Sequence, residues 1–149
     1  MTYVLEREQV VPRDRAEVFA FFAQARNLEA ITPHWLRFRV TTPGEIEMRP
    51  GALIEYRLRL HAVPVRWRTE IAAWEPERRF VDVQVAGPYA LWEHTHEFDP
   101  HERGTLVRDR VRYALPLGPL GRLAHAVLVR RDLARIFDFR RDAVARRLS

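Results

Sequence analysis

The sequence lacks two reactive residue types entirely and almost lacks a third. Among its 149 residues there is no cysteine and no lysine, and the only serine is Ser149. All 25 basic residues are arginine, which stays protonated and is a poor nucleophile, so Schiff-base chemistry and a phosphate-loop lysine are excluded. Serine and thiol nucleophiles, thiolate metal sites and disulfides are excluded as well. An enzyme built from this chain would have to work through His, Asp, Glu, Tyr or Thr.

Long apolar runs are also missing. Charged Glu6, Arg7 and Glu8 follow soon after Met1, so no signal-peptide core is evident, and no window approaches the roughly 18 apolar residues of a membrane span. We therefore expect a cytoplasmic protein with no transmembrane segment. The formal charge of +5 combines 25 arginines with 20 interspersed acidic residues, which only weakly indicates nucleic acid or anionic membranes as partners. We predict no specific nucleic-acid partner.

The organisation of the chain indicates a single domain over residues 1–149, because there is no repeat, no low-complexity stretch and no flexible linker. Residues 3–11 are typical of a strand. A short helix is predicted to begin near Ala16 and to end near Arg26 and Asn27, with Asp14 as its N-cap and Glu17 completing a capping-box-like pair. A second short helical turn should end near Thr32, which precedes a proline.

From Leu36 onward, apolar and polar residues alternate with a period of two for about 80 residues. Short turns interrupt this pattern, which predicts six consecutive antiparallel strands with one wet face. Arginine is the commonest residue at the outer positions. In the segment 65–73 the odd-numbered residues form the apolar side, and in the segment 80–86 one side carries Val81, Val83 and Val85.

The last segment is predicted to cover the apolar side of the sheet as one long helix that begins near Pro119. At about 1.5 Å per residue this helix would be roughly 43 Å long. Its apolar positions are Leu120, Leu123, Ala124, Val127, Ala134, Phe137 and Val144. We predict an α+β fold in which a curved antiparallel sheet of about seven strands wraps around this helix, with two short helices after the first strand.

Two segments of this pattern, GPYALWEHTHEF at residues 87–98 and GTLVRDRVRY at residues 104–113, carry a family resemblance. With the element order, they resemble the SRPBCC superfamily, which includes START lipid-transfer domains, birch-pollen-allergen-like proteins and polyketide cyclases. The likeness is greatest to small bacterial cyclase/dehydrase-like members. It covers essentially the whole chain and implies the helix-grip fold, with a deep cavity between sheet and helix for a hydrophobic or amphipathic molecule. It carries over no catalytic motif, and we predict no cofactor.

The most informative cluster on the predicted inner face consists of His94, His96 and Asp109. Unpaired polar groups on a buried face cost about 1–3 kcal/mol, so these side chains need partners. With a turn at residues 100–103, strand parity places Asp109 opposite His94 or His96, within hydrogen-bonding reach. Three interpretations stay open: a self-satisfied pair in the cavity wall, recognition of a ligand, and acid/base catalysis.

Three further features bear on the site. His-x-His on a strand facing a carboxylate is also a metal-binding pattern, but the spacing is short and we predict no metal site. On the terminal helix, Arg130 or Arg131 is expected to point toward the sheet or its rim, where it would pair with Asp109 or bind a ligand carboxylate. The alternative, which the long arginine stem favours, is that its guanidinium extends to water. A cavity entrance is predicted at Trp35, Leu36 and the loop at residues 87–89.

We expect the protein to bind a small hydrophobic or amphipathic molecule that is lipid- or polyketide-like. The first alternative is a cyclase or dehydratase that uses His94 or His96 with Asp109. The second is an interaction module that uses the outer arginines of the sheet, such as Arg57 and Arg66. The oligomeric state, including a dimer, stays open. The predicted ligand-binding residues are Tyr56, Trp67, Thr69, Trp92, His94, His96, Asp109, Tyr113 and Arg131.

Overall fold

The computed structural model describes all residues from Met1 to Ser149. Seven strands form one curved antiparallel sheet in the spatial order β1-β7-β6-β5-β4-β3-β2. Because β1 pairs with β7, the first strand lies beside the last one, and the predicted succession of six further strands is confirmed. The strands are β1 (Tyr3–Val11), β2 (Arg39–Val40), β3 (Leu53–Leu60), β4 (Val63–Glu75), β5 (Arg79–Ala86), β6 (Leu91–His101) and β7 (Gly104–Ala114).

Helices connect the first two strands and follow the last one. Helix α1 (Arg15–Phe22) begins where the Asp14 side chain accepts a hydrogen bond of 2.8 Å from the backbone N–H of Glu17, as predicted. The predicted end of this helix near Arg26 and Asn27 is wrong, because α1 ends at Phe22 and those residues lie in a separate 3₁₀ helix. Two 3₁₀ helices follow α1, at Ala25–Ile31 and His34–Leu36. After β7 an unbroken helical run comprises α2 (Gly118–Ala124), a π-helical turn (His125–Val129) and α3 (Arg130–Arg147). The predicted long C-terminal helix is therefore confirmed.

Helix α3 packs across the concave face of the sheet and supplies buried apolar side chains to two parts of the core. Near its end, Val144 joins Phe19 of α1 and Phe98 of β6 in one buried cluster. Closer to its start, Leu133 and Phe137 pack against Trp92, Val111 and Tyr113 of β6 and β7. The cavity described below lies between α3 and the middle strands of the sheet.

The strict alternation predicted for β4 is wrong at its end, because the register with β5 shifts between Ile71 and Ala73. A bulge adds one residue to a strand and therefore moves every later side chain to the other face. Trp74 takes the inward position, lies opposite Phe80 and has its ring centroid 5.2 Å from that of Phe80. Ala73 instead pairs with Val81 on the other side of the sheet.

The predicted apolar face of the terminal helix is wrong over its first half. Leu120, Leu123 and Val127 are 67%, 60% and 70% exposed, whereas Gly121 and His125 are buried. The helix approaches the preceding chain so closely at Gly121 that a Cβ there would lie 2.1 Å from the carbonyl oxygen of Pro116. Only glycine fits this contact, so the small residue turns inward and the leucines turn outward.

Candidate ligand-binding site

A cavity of about 150 Å³ lies between the sheet and α3, and 13 of its 19 lining residues are hydrophobic. An apolar cavity with a few convergent polar groups is typical of a small-molecule site. The apolar lining comes from the 3₁₀ helices, from β3 and β4, from α3 and from the loop before β6. The six polar lining residues are Thr32, Thr69, Asp82, His94, His96 and Arg140.

The structure pairs His94 with Asp109. The Nε2–H group of His94 on β6 donates a hydrogen bond of 2.8 Å to Oδ1 of Asp109 on β7. The two Cα positions are diagonal neighbours, because the backbone register places Asp109 directly opposite His96. Both side chains are nearly enclosed, at 6% and 12% exposure, so the hydrogen bond is shielded from water.

His96 has a different carboxylate partner, which the sequence interpretation missed. Its Nε2–H group donates a hydrogen bond of 2.6 Å to Oδ2 of Asp82 on β5. In β5 the residues that face inward are Phe80 and Asp82, because they lie opposite His96 and His94. The Val81 side of this strand faces away from the cavity. A lone aspartate within a valine-rich strand is the signal that would have pointed to Asp82.

The arginine at the site is Arg140 of α3, and the prediction that Arg130 or Arg131 turns toward the sheet is wrong. Both of those residues are exposed. The Nη2 group of Arg140 lies 3.4 Å from Oδ1 of Asp109 and 3.4 Å from Nδ1 of His96. Arg140 follows Phe137 by three positions and therefore shares its face of the helix, a spacing that would have identified it.

The charges of this cluster follow from burial and from the partners. Burial alone would raise the pKa of Asp109, but the Arg140 guanidinium and the hydrogen bond from His94 outweigh it and hold that pKa below its ordinary value. The pKa of Asp82 is likewise lowered: burial opposes ionisation, and the hydrogen bond from His96 overcomes it. Burial lowers the pKa of His96 to about 4. At neutral pH the cluster thus contains two carboxylates, one guanidinium and a neutral His96.

The two histidine rings stack with their centroids 3.6 Å apart, and one of their nitrogens is free. Nδ1 of His94 forms no hydrogen bond within the protein, because the only bond of this ring is the one from Nε2 to Asp109. Every fully buried side-chain nitrogen and oxygen has a hydrogen-bond partner. Because Nδ1 of His94 has none, it is not fully buried, and it is open to the cavity that His94 lines. In a neutral ring that donates from Nε2, Nδ1 is a hydrogen-bond acceptor.

The aromatic wall near this acceptor is ordered by its own contacts. The indole N–H of Trp67 donates a hydrogen bond of 3.0 Å to Oγ1 of Thr69, and the Trp67 ring meets Trp92 edge-on at 5.1 Å. Burial raises the pKa of Tyr56, so its phenol keeps its proton. Leu36 and Tyr89 of the predicted entrance line the cavity, whereas Trp35 is 43% exposed.

Three predicted ligand-binding residues lie outside the cavity lining. Asp109 stands behind His94 and contacts it from the side of β7. The hydroxyl of Tyr113 donates a hydrogen bond of 2.7 Å to Nε2 of His125 in the π-helical turn. Arg131 is exposed and lies away from the site.

Asp82, His94 and His96 each offer a potential metal-ligand atom, and these atoms lie within 4.8 Å of one another. The same side chains are engaged in hydrogen bonds with carboxylates or with Arg140. The guanidinium 3.4 Å from His96 Nδ1 adds positive charge that disfavours a second cation at this position. The chemistry of the cluster therefore favours a hydrogen-bonding role over metal coordination.

Comparison with known proteins identifies the family. Residues 3–149 match the model of a family described as polyketide cyclase/dehydrase and lipid transport. The chain belongs to this family. No curated protein matches the sequence closely enough to count as a relative. The family match places the chain in the SRPBCC superfamily and confirms the resemblance seen in its sequence.

Solved structures confirm the helix-grip fold for this member of the polyketide cyclase/dehydrase and lipid transport family. Protein CV1439 from Chromobacterium violaceum superposes with a TM-score of 0.76 at 11% identity, covering 97% of this chain and 96% of its own. A major latex-like protein from Panax ginseng gives 0.73 at 13% identity, with 100% and 99% covered. TTHA0849 from Thermus thermophilus gives 0.69 at 20% identity, with 99% and 97% covered.

None of the helices has the length and apolarity needed to cross a bilayer.

Proposed function

We propose that the protein binds a small hydrophobic or amphipathic molecule, lipid- or polyketide-like in character, in the cavity between the sheet and α3. The observation that carries the proposal is the pairing of an apolar cavity with a free acceptor, Nδ1 of His94, whose ring is held by a buried carboxylate. The apolar part of the ligand would contact the hydrophobic wall. Its hydroxyl or other donor group would reach His94, whose ring Asp109 holds in place.

The size of the cavity restricts what fits without movement of the protein. An apolar cavity of about 150 Å³ is large enough to bind benzene. A volume of about 150 Å³ therefore accommodates one ring or a short chain in this conformation. Longer ligands would require α3 or the 3₁₀ helices to move away from the sheet.

Phenol and toluene test the proposal, because they are nearly equal in size and only phenol donates a hydrogen bond. Both are titrated into the protein while the indole N–H resonances are followed by NMR, since Trp67 and Trp92 line the cavity. We expect both to bind. In His94→Phe, the loss of the acceptor leaves a buried hydroxyl unpaired, so the affinity ratio of phenol to toluene should fall about tenfold.

The matched control is His101→Phe, because His101 lies on the same strand but outside the cavity. It should leave the ratio unchanged. Failure of both probes to perturb the indole resonances at millimolar concentration would contradict binding in this cavity. An unchanged ratio in His94→Phe would contradict the role of the His94 acceptor while leaving the cavity itself in place.

A second candidate function is proton abstraction next to a carbonyl group, as a cyclase or dehydratase requires. The observation that favours it is the orientation of His94: Nε2–H is held by a carboxylate and Nδ1 faces the cavity, as in a general base. Nδ1 would take the proton from carbon, and the guanidinium of Arg140 in the cavity lining would stabilise the enolate oxygen. Reversal of the step in heavy water returns a deuteron to the carbon.

Acetophenone in heavy water tests this second function without any co-reactant. Deuterium incorporation into its methyl group is followed by NMR with and without the protein. We expect acceleration by the wild type, return to the uncatalysed rate in His94→Gln, and no change in His101→Gln. Binding of acetophenone without faster exchange would leave the binding function standing and remove the catalytic one for this substrate class.

A further inference from the structure

A second feature of the molecule lies outside the cavity, in residues 117–131, which we call the apolar arm. The arm runs from Leu117 through α2 and the π-helical turn to Arg130 and Arg131, the first two residues of α3. It contacts the rest of the protein through a narrow stripe formed by Gly121, His125 and the half-buried Val129. His125 provides the main anchor, since its ring stacks on Tyr3 at 3.4 Å and accepts the hydrogen bond from Tyr113.

The rest of the apolar arm is exposed and strongly apolar. Leu117 is 75% exposed, and Leu128 is 42% exposed. Together with them, Pro119, Leu120, Leu123, Ala124, Ala126 and Val127 form a continuous exposed apolar helical surface. Isolated exposed leucines are ordinary, but a contiguous apolar surface on one element marks an interaction site.

The charges of the apolar arm have one sign. It contains Arg122, Arg130 and Arg131, and no aspartate or glutamate. Elsewhere the arginines are interspersed with acids and many of them form ion pairs, such as Arg108 with Glu8 at 3.2 Å. The surface that the arm presents is thus apolar and cationic, and its complement is apolar and anionic.

We propose that the apolar arm docks the protein on a membrane surface that contains anionic lipids. Leu120, Leu123 and Val127 would enter the boundary between headgroups and acyl chains, and the arginines would contact lipid phosphates. A helix with an apolar face and arginines on its polar side lies in the membrane interface without crossing it. The long arginine stems reach the headgroups while the apolar side chains stay below them.

Charge favours a lipid surface over a second copy of this chain as the occupant. Two copies joined through their arms would bring the arginines of both together without an acidic residue from either arm, and like charges at an interface are unfavourable. A bilayer with anionic lipids supplies both the apolar interior and the negative charge. The arm also adjoins the cavity, because Tyr89 of the cavity lining contacts Tyr113, which holds His125.

Co-sedimentation with vesicles tests the docking. Wild-type protein is mixed with vesicles of phosphatidylcholine alone or with roughly 30% phosphatidylglycerol, in low and high salt. We expect binding to the anionic vesicles, little binding to the neutral ones, and weakening in high salt. The variant Leu120→Asn/Leu123→Asn should bind at least about tenfold more weakly, because two inserted apolar side chains are lost.

The matched control is Leu53→Asn/Val63→Asn, which removes two leucine- or valine-sized side chains exposed to a similar degree on β3 and β4. It should bind as the wild type does, and Arg122→Gln/Arg130→Gln should weaken binding to anionic vesicles severalfold. Absence of vesicle binding, or equal loss in the control, would overturn the proposal. Dimerisation in the absence of vesicles that is lost in Leu120→Asn/Leu123→Asn would also overturn the proposal.

Discussion

The two halves of the C-terminal helical run differ in composition and in surroundings. Ten of the 18 residues of α3 are charged, whereas residues 118–129 contain one charged residue, Arg122. In α3, Leu133, Phe137 and Val144 are at most 5% exposed and cover the sheet. In the apolar arm the leucines and valines mostly face outward and a glycine and a histidine face the protein. The two regions also use arginine differently, since Arg140 is held in a buried cluster whereas Arg122 and Arg131 of the arm are exposed.

This contrast shows that apolar spacing identifies a helix without identifying its buried face. Which face of a helix becomes buried depends on the surface that packs against it. Beneath α3 is a concave sheet lined with large apolar side chains, whereas the arm meets the tyrosine ring pair Tyr3 and Tyr113 through His125. Helix α3 therefore closes the cavity, whereas the apolar side chains of the arm stay exposed at the surface.

The largest difference between the halves should appear in stability. Phe137→Ala removes a buried ring from α3 and should lower the free energy of unfolding by about 3–5 kcal/mol. Leu123→Ala truncates an exposed side chain of the arm and should change it by less than about 0.5 kcal/mol. Urea unfolding followed by circular dichroism measures both. Equal losses would mean that the arm is as deeply packed as α3, contrary to its exposure.

The second test concerns the two classes of arginine. Arg140→Met leaves the buried carboxylate of Asp109 without its cation and should cost about 3 kcal/mol of unfolding free energy. Arg131→Met on the exposed side is the control and should be close to neutral. The double variant Asp109→Asn/Arg140→Met should recover part of the loss, because residue 109 no longer carries a charge that lacks its cation. Strict additivity of the two changes would show that these groups are not coupled.

The third test perturbs the arm through its tightest contact. Gly121→Ala places a methyl group where the Pro116 carbonyl oxygen lies 2.1 Å away, so the arm must shift at a cost of about 1–3 kcal/mol. Hydrogen exchange measured by mass spectrometry should show faster exchange over residues 118–129 and unchanged exchange in α3. Ala126→Ser, at an exposed position of the arm, is the control. Faster exchange throughout α3 would indicate that the two halves unfold together.

The fourth test varies pH, and its effect is spread over the range between the folded and unfolded pKa values of one histidine. Burial lowers the pKa of His96 to about 4, whereas an unfolded histidine titrates near about 6.5. Between these values the unfolded chain binds more protons than the folded one, so stability is fully present above about pH 6.5 and falls toward pH 4, by up to about 1.4 kcal/mol per pH unit. Urea unfolding at several pH values should show this slope, and His96→Gln should flatten it.

His125 of the apolar arm provides the comparison for this pH dependence. Burial lowers the pKa of His125 as well, with a smaller contribution from Arg130. Falling pH should therefore reduce the stability of the fold through His125 too. We expect His125→Gln to reduce the slope less than His96→Gln does, because His96 is enclosed among the site's charges. A larger effect at His125 would reverse the ranking of the two regions.

Much of the fold followed from local pattern. Alternation along the strands predicts the antiparallel succession, and hairpin parity brings Asp109 to His94 and His96, because side chains on paired strands alternate with a fixed period. Asp82 was missed because alternation in β5 does not say which side faces inward; its pairing opposite His94 of β6 decides that. Arg140 was missed although it lies three positions after Phe137, because the break in the apolar pattern at Arg130 and Arg131 pointed to those residues instead.

The sequence by itself determined the chemical limits of this protein. Without lysine, cysteine or an internal serine, the polar groups available to a buried site are chiefly histidine, carboxylates, arginine, tyrosine and threonine, whatever the fold. Only the tertiary structure decided which of them meet. It joins Asp82 of β5, His94 of β6 and Arg140 of α3, and it leaves the leucines of the apolar arm outside, because long-range pairing depends on register and packing that no local pattern encodes.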